Sequence, residues 1–142
     1  MVNYFDKITA KEIVDAIIQA EKMTSGEIRV HVQKKCKSDA LHEAKKVFHR
    51  LKMHKTVYRN AVLIFVAPES RQFSILGDSG IHRHVGDFFW NETRDKIASY
   101  FSKGQMKEGI VAGVLSVGEK LKAFFPLETK PENELSNEVT EG

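Results

Sequence analysis

The stretch Arg59–Ile81, RNAVLIFVAPESRQFSILGDSGI, decides the fold. Ala61 to Ala67 is an unbroken apolar run rich in Val, Ile and Phe, the pattern of a strand covered on both faces. Pro68, Glu69 and Ser70 supply turn chemistry, and Gln72 to Gly77 reads as a second strand with mixed faces. So short a connection makes the pair an antiparallel hairpin. Gly77-Asp78-Ser79-Gly80 stops the second strand, with two glycines where the backbone bends and side chains are unwelcome. Antiparallel pairing then returns Asp78 and Ser79 to Arg59 and Asn60, where the first strand of the hairpin began. Polar residues far apart in sequence are expected to meet at one end of the sheet.

Working outward, the first 58 residues read as helix, strand, helix. Thr9-x-x-Glu12 has the form of a capping box, and Ile13, Ala16, Ile17 and Ala20 recur at helical spacing, predicting a helix over about Ala10–Met23. Thr24-Ser25-Gly26 ends it. Glu27 to Gln33 alternates, with Ile28, Val30 and Val32 on one face and Glu27, Arg29, His31 and Gln33 on the other, as in a strand. Ser38 or Asp39 caps a second helix with the inner stripe Leu41, Ala44, Phe48 and Leu51, ending near Met53. Beyond the hairpin, Val85–Phe101 predicts a helix with an aromatic face, and Met106–Phe125 a buried helix in which Gly109 and Gly113 permit close approach.

The order α-β-α-β-β-α-α contains one βαβ unit, which is parallel and right-handed. With helices enough for both faces, the fold class is α/β: a three-layer α/β/α sandwich on a small mixed sheet, in strand order 1-2-3 with Ala61–Ala67 central. No internal repeat is visible.

Composition frames this reading. The chain has 142 residues, 42% hydrophobic and 29% charged, as expected of one globular domain. The net charge of +3 hides an asymmetry. Pro126 to Gly142 holds five Glu and one Lys, a net −4, whereas residues 1–125 carry 21 Lys and Arg against 14 Asp and Glu, a net +7. We therefore divide the chain into a folded domain over 1–125 and an acidic tail over 126–142, expected to be disordered. Cys36 is the sole cysteine, which excludes an intrachain disulfide and a cysteine-based zinc site. No apolar run approaches the ~18 residues of a membrane span and no leader follows Met1, so a cytoplasmic protein is expected, away from membranes and monomeric.

Familiar catalytic signatures are absent: no dinucleotide or P-loop glycine pattern, no nucleophile elbow, no cysteine-phosphatase loop and no EF-hand loop. His42-Glu43 begins like a zinc-protease motif, but Lys46 stands where the second histidine belongs. What remains is a constellation created by strand direction. Two parallel strands begin where the third ends, so Ser25 and Glu27, Asn60, and Gly77, Asp78 and Ser79 converge. Carboxylates, an amide oxygen, hydroxyls and loop carbonyls are hard donors that suit Ca²⁺ or Mg²⁺. The plainer alternative is that Asp78 caps the following turn and Glu27 pairs with Arg59. Asp78 and His82 are the candidate catalytic groups.

The sequence here resembles the TPM domain family, also called the TPM phosphatase family. The resemblance spans about Ile13–Phe125. It rests on Thr24-Ser25-Gly26-Glu27-Ile28, Arg59-Asn60-Ala61-Val62-Leu63-Ile64, Leu76-Gly77-Asp78-Ser79-Gly80-Ile81 and Gly109-Ile110-Val111-Ala112-Gly113-Val114, in that order. It implies a Rossmann-like sandwich with an acidic divalent-metal groove between loops, and acid-phosphatase activity. The chain departs from the pattern in having Asn60-Ala61 where many members have Asn-Gly, Asp78 where many have another residue, and neither signal peptide nor C-terminal membrane helix. It resembles a short bacterial branch.

Two classes of function stay open. One is a metal-binding module that recruits a protein or a phosphorylated small molecule without catalysis. The other is a metal-dependent acid phosphatase acting on phosphate monoesters, with Asp78 as nucleophile or water-positioning group. The basic residues Lys34, Lys35, Lys37, Lys45, Lys46, Arg50, Lys52 and Lys55 read as a solvated face rather than a nucleic-acid surface.

Overall fold

The computed structural model describes residues 6–127 and 135–142. Five α-helices and four strands succeed one another in it: α1 (Lys7–Glu21), β1 (Glu27–Val32), α2 (Ala40–Arg50), β2 (Ala61–Ala67), β3 (Gln72–Gly77), α3 (Ser79–His82), α4 (Asn91–Ser102), α5 (Met106–Leu121) and β4 (Thr140–Glu141). A 3-10 turn, Met53–Lys55, leads from α2 toward β2, and another, Pro68–Ser70, joins β2 to β3.

All seven residues of β2 are buried. A strand with no solvent-facing side needs a packed layer on each face, and the sheet supplies both. Val62, Ile64 and Val66 join Ile28, Val30 and Val32 of β1 beneath α1, α4 and α5. Ala61, Leu63, Phe65 and Ala67 point the other way, onto Ala44, Val47 and Phe48 of α2 and onto Met53. This is the three-layer α/β/α sandwich. Within it, Gly113 lets α5 sit close on α4, since a Cβ there would come within 2.6 Å of the Ile97 side chain.

The sheet order is β3-β2-β1-β4. β1 and β2 are parallel, with Glu27 opposite Ala61, and β2 and β3 are antiparallel, with Val62 opposite Gly77. The expected 1-2-3 order with β2 inside is present, and a fourth strand extends it. Thr140 and Glu141 pair in parallel with His31 and Val32. The tail expected to be disordered from residue 126 is thus corrected at its end; the part of that expectation falling on residues 128–134 lies outside the described residues. The sequence conceals β4 because its two residues have no apolar alternation. Backbone and polar bonds hold them instead. Gly142 N–H donates to Val32 O at 2.9 Å, and the Thr140 hydroxyl lies 2.9 Å from Nδ1 of His31.

Helix ends shift for identifiable reasons. Asp6 caps α1, its carboxylate accepting from Thr9 N–H at 2.7 Å, so Thr9 lies inside the first turn rather than capping it. Asp39 caps α2 as expected. The aromatic segment starting at Val85 is not helical until Asn91: Phe88 is 80% exposed, Trp90 is buried, and three successive aromatic rings cannot share one buried helical stripe.

Two outcomes test this layering. Leu63 and Ile64 are fully buried on opposite faces of β2, so Leu63→Ala and Ile64→Ala are each expected to cost about 2–5 kcal/mol in chemical denaturation. A near-neutral result at either position would mean that one layer is missing. The second outcome concerns His31, which is buried, stacks on Phe65 and has its pKa pushed below the usual 6.5 by desolvation, with Gln33 raising it and Arg50 and Arg29 lowering it. Within that window the unfolded chain binds a proton that the folded chain refuses. The stabilising term is therefore complete above about pH 6.5 and lost as pH falls through the folded pKa. Denaturation midpoints should fall as pH drops below about 6.5, less steeply in His31→Gln. An equal slope in both proteins would remove His31 from the account.

Candidate functional site

At the end of the sheet where β1 and β2 begin and β3 ends, three loops close on one another through the backbone. Gly80 N–H donates to Arg59 O at 2.8 Å, and Asp78 N–H to Ala61 O at 3.0 Å. Gly80 is required here: a Cβ would lie 2.1 Å from Tyr58 O and 2.5 Å from Arg59 O, and those are backbone atoms with no rotamer to move. On the other side, Ser25 N–H and the Thr24 hydroxyl both donate to Phe125 O, at 2.8 and 2.5 Å, tying the α1–β1 loop to the turn after α5.

The predicted residues do converge, although their oxygens are mostly engaged. Asp78, 7% exposed, caps α3: its Oδ1 accepts from Ser79 N–H at 2.7 Å. The same carboxylate takes a two-pronged grip from Arg59, whose Nε reaches Oδ2 at 2.8 Å and whose Nη2 reaches Oδ1 at 3.1 Å. Such a fork matches carboxylate geometry and is the stronger kind of charged hydrogen bond. It raises the Arg59 pKa above its ordinary value, first through the hydrogen bond and then through charge. Arg59 adopts a left-handed backbone, φ 52°, in doing so. Of the two plainer alternatives, capping by Asp78 holds, while Arg59 pairs with Asp78 and not with Glu27.

Asn60, 1% exposed, donates from Nδ2 to the Ser25 hydroxyl at 3.3 Å. Glu27 is 1% exposed at the head of β1, and Gly77 is buried at the end of β3. Ser79 opens α3. His82 is exposed, and its backbone N–H donates to Asp78 O at 3.3 Å.

Of the oxygens expected to hold Ca²⁺ or Mg²⁺, those of Asp78 and Ser25 are engaged by protein donors as arranged. Such a cation wants several oxygens directed at one point. Both Asp78 oxygens face Arg59, the Ser25 and Thr24 hydroxyls hold loops together, and no three His, Cys, Asp or Glu side chains cluster around a common point among the described residues. A guanidinium stands where the cation was expected.

Sequence reasoning missed a neighbouring group. His49 and His54 stack with ring centroids 4.1 Å apart and planes 3° apart. His54 Nδ1 is buried without a hydrogen-bond partner, and its pKa is lowered by desolvation, His49, Lys55 and Arg59, with Asp78 opposing. One sits in the last turn of α2 and the other in the 3-10 turn, so no single periodicity links them. Across the groove, His84 stacks on Phe124 at 5.8 Å and meets Phe125 edge-on at 5.6 Å.

A Rossmann-like α/β/α sandwich with polar loops gathered where two parallel strands begin is thus the class of protein defined by fold and site. The profile described as TPM domain matches residues 1–120, and the chain belongs to that family. Among solved structures it is similar to the BA42 protein of the psychrophilic bacterium Bizionia argentinensis, determined by NMR, at 43% identity over 100% of this chain and 98% of that one, with a TM-score of 0.92. The N-terminal domain of the cg2496 protein from Corynebacterium glutamicum shares the fold, with a TM-score of 0.67 at 16% identity over 94% and 84% of the two chains. No curated protein matches. Among the described residues no helix is long and apolar enough to cross a membrane.

The backbone clasp makes a direct test. Gly80→Ala cannot keep the Tyr58 and Arg59 carbonyls in place, so it should destabilise the fold by at least about 1–3 kcal/mol, the range for overpacking a tight site. Thermal and chemical denaturation measure it. Wild-type stability in Gly80→Ala would mean that the three loops are not closed as described.

Proposed function

We propose that this TPM-domain chain is a binding module that engages a partner at the Asp78 end of the sheet without hydrolysing it. The observation carrying this reading is the Arg59 fork on Asp78. A carboxylate that attacks phosphorus or aligns water needs an oxygen free to face the reacting atom. Here Oδ2 is held by one donor and Oδ1 by two. His82, the candidate base, is an exposed side chain whose link to Asp78 runs through its backbone. Exposed apolar side chains border the same loops and favour a protein as the partner: Val57 is 66% exposed, Tyr58 44% and Phe124 42%.

The second reading, a phosphatase acting on phosphate monoesters, is carried by the name of the family profile, TPM_phosphatase. The cation expected from the sequence, Ca²⁺ or Mg²⁺, would compete with Arg59 for the same two oxygens. One experiment separates these readings. A generic phosphate monoester incubated with the protein and either cation should show no turnover above buffer, in wild type and Asp78→Asn alike. Cation-dependent turnover that disappears in Asp78→Asn would overturn the module reading in favour of the phosphatase. In a parallel titration followed by amide chemical shifts, Ca²⁺ should bind Arg59→Gln more tightly than wild type, and this gain should vanish when Asp78→Asn is added. Shifts centred away from Asp78 would dismiss it as a cation ligand.

A further inference from the structure

The opposite end of the sheet, where β2 ends and β3 begins, holds a cavity of about 650 Å³. That lies within the range for ligand sites, roughly 300–1,000 Å³. Its apolar wall comes from Val66, Phe73, Ala98, Phe101 and Met106, with the rings of Phe73 and Phe101 meeting edge-on at 5.4 Å. Among the described residues that line it, Arg71 alone is charged. Arg71 is exposed and forms no ion pair among the described residues.

Beside this cavity runs an edge of the sheet. Among the described residues β3 has β2 on one side and no strand on the other. Register decides which of its backbone groups face outward. Asp78 N–H donates to Ala61 O, and facing residues of an antiparallel pair alternate between exchanging hydrogen bonds and turning them away from each other. Phe73, opposite Val66, falls in the second class. Val66 agrees, since its carbonyl accepts from Gln33 N–H on the β1 side at 3.0 Å. The Phe73 N–H and C=O therefore point away from β2, and neither has a backbone partner among the described residues. The strand, Gln72-Phe73-Ser74-Ile75-Leu76-Gly77, contains no charged residue and no proline, the usual means of closing an edge to a further strand.

We propose that the Phe73 edge and this cavity together bind an extended segment of a partner protein, added to β3 as a further strand and carrying one large apolar side chain with a carboxylate next to it. An extended polypeptide matches such an edge because it offers N–H and C=O groups at strand spacing. In an antiparallel addition the residue facing Phe73 exchanges both hydrogen bonds with it and places its side chain on the same face as Phe73. That face of the sheet carries Phe101 and Met106, so the side chain enters the cavity. Arg71, at the same cavity, favours a carboxylate, which its planar donor set fits. The surface lies at the other end of the sheet from Asp78 and does not depend on the reading of that groove.

The probe is a capped peptide, acetyl-Thr-Val-Thr-Phe-Asp-Thr-amide, titrated into the full chain and followed by amide chemical shifts. Shifts should centre on Arg71, Gln72, Phe73, Ala98, Phe101 and Met106, and the Phe73 amide should exchange more slowly with solvent. Alanine in place of the peptide's phenylalanine should weaken binding by about tenfold or more, the scale of one large apolar side chain. Methylating the backbone nitrogen of that phenylalanine should abolish binding, because the bond to the Phe73 carbonyl is lost. Lysine in place of the aspartate should weaken binding to the wild type but not to Arg71→Gln. Ala98→Trp fills the cavity from an exposed helical position and should abolish binding at an unchanged melting temperature. Should Ala98→Trp not fold, the methylated peptide carries the test. The proposal is overturned by shifts that are absent at millimolar peptide or centred elsewhere, by undiminished binding of the methylated peptide, or by undiminished binding to a folded Ala98→Trp. It is also overturned by binding that requires removal of residues 1–5, which would give the cavity to the chain's own N-terminus, or by dimerisation that Ala98→Trp abolishes, which would give it to a second copy.

Discussion

Seven consecutive residues of β2 have no side in water, and this is the constraint from which the other elements take their places. A strand buried on both faces must be interior to its sheet, so β1 and β3 flank it. Its even-numbered side chains need one helical layer and its odd-numbered ones another, which α1, α4 and α5 on one side and α2 on the other provide. The parallel pairing of β1 with β2 demands a crossover, and α2 is that crossover. The antiparallel return of β3 brings Asp78 beside Ala61. The position of the polar groove is therefore a consequence of how β2 is buried. Its loops meet because strand directions leave them nowhere else to go.

Much of this was legible in the sequence because apolar period and turn residues report directly on burial. The Ala61–Ala67 run, the alternation from Glu27 and the stripe of α1 each encode one face or two, and the sandwich follows. The less legible elements have little apolar content. β4 is two residues held by backbone bonds and by Thr140 against His31, none of which produces a period. The turns before α4 hold aromatic residues whose sequence resembles a helical stripe, while Phe88 faces water and Trp90 does not. Asp6 displaced Thr9 as the cap of α1 because both have side chains able to cap, and spacing alone does not rank them.

The site was legible as a place and less so as chemistry. Strand direction brought Ser25, Asn60 and Asp78 together, since register depends on backbone geometry. Which donors then occupy which oxygens depends on side-chain geometry that no spacing records. Arg59 could lean toward Glu27, toward solvent or toward Asp78. Its left-handed backbone, fixed where Gly80 presses on the Arg59 carbonyl, accompanies the fork on Asp78. The need for glycine at position 80 was visible as a bend, but its cause, a backbone closing on two carbonyls, emerges only in three dimensions.

Asp78 shows why a family shape need not carry one chemistry. A carboxylate this buried requires positive charge or several hydrogen-bond donors around it, because solvent no longer supplies them. A divalent cation meets that requirement, and so does an arginine from the neighbouring loop. The two solutions share an electrostatic role but differ in what they leave available. A bound cation keeps open coordination positions through which a phosphoryl oxygen or a water can be polarised. A guanidinium fork spends its geometry on the carboxylate, and its positive charge is tethered to the chain by a half-exposed side chain. With Arg59 in place its charge is matched by Asp78, the loops remain closed through Gly80, and the groove is bordered by the exposed rings of Tyr58 and Phe124.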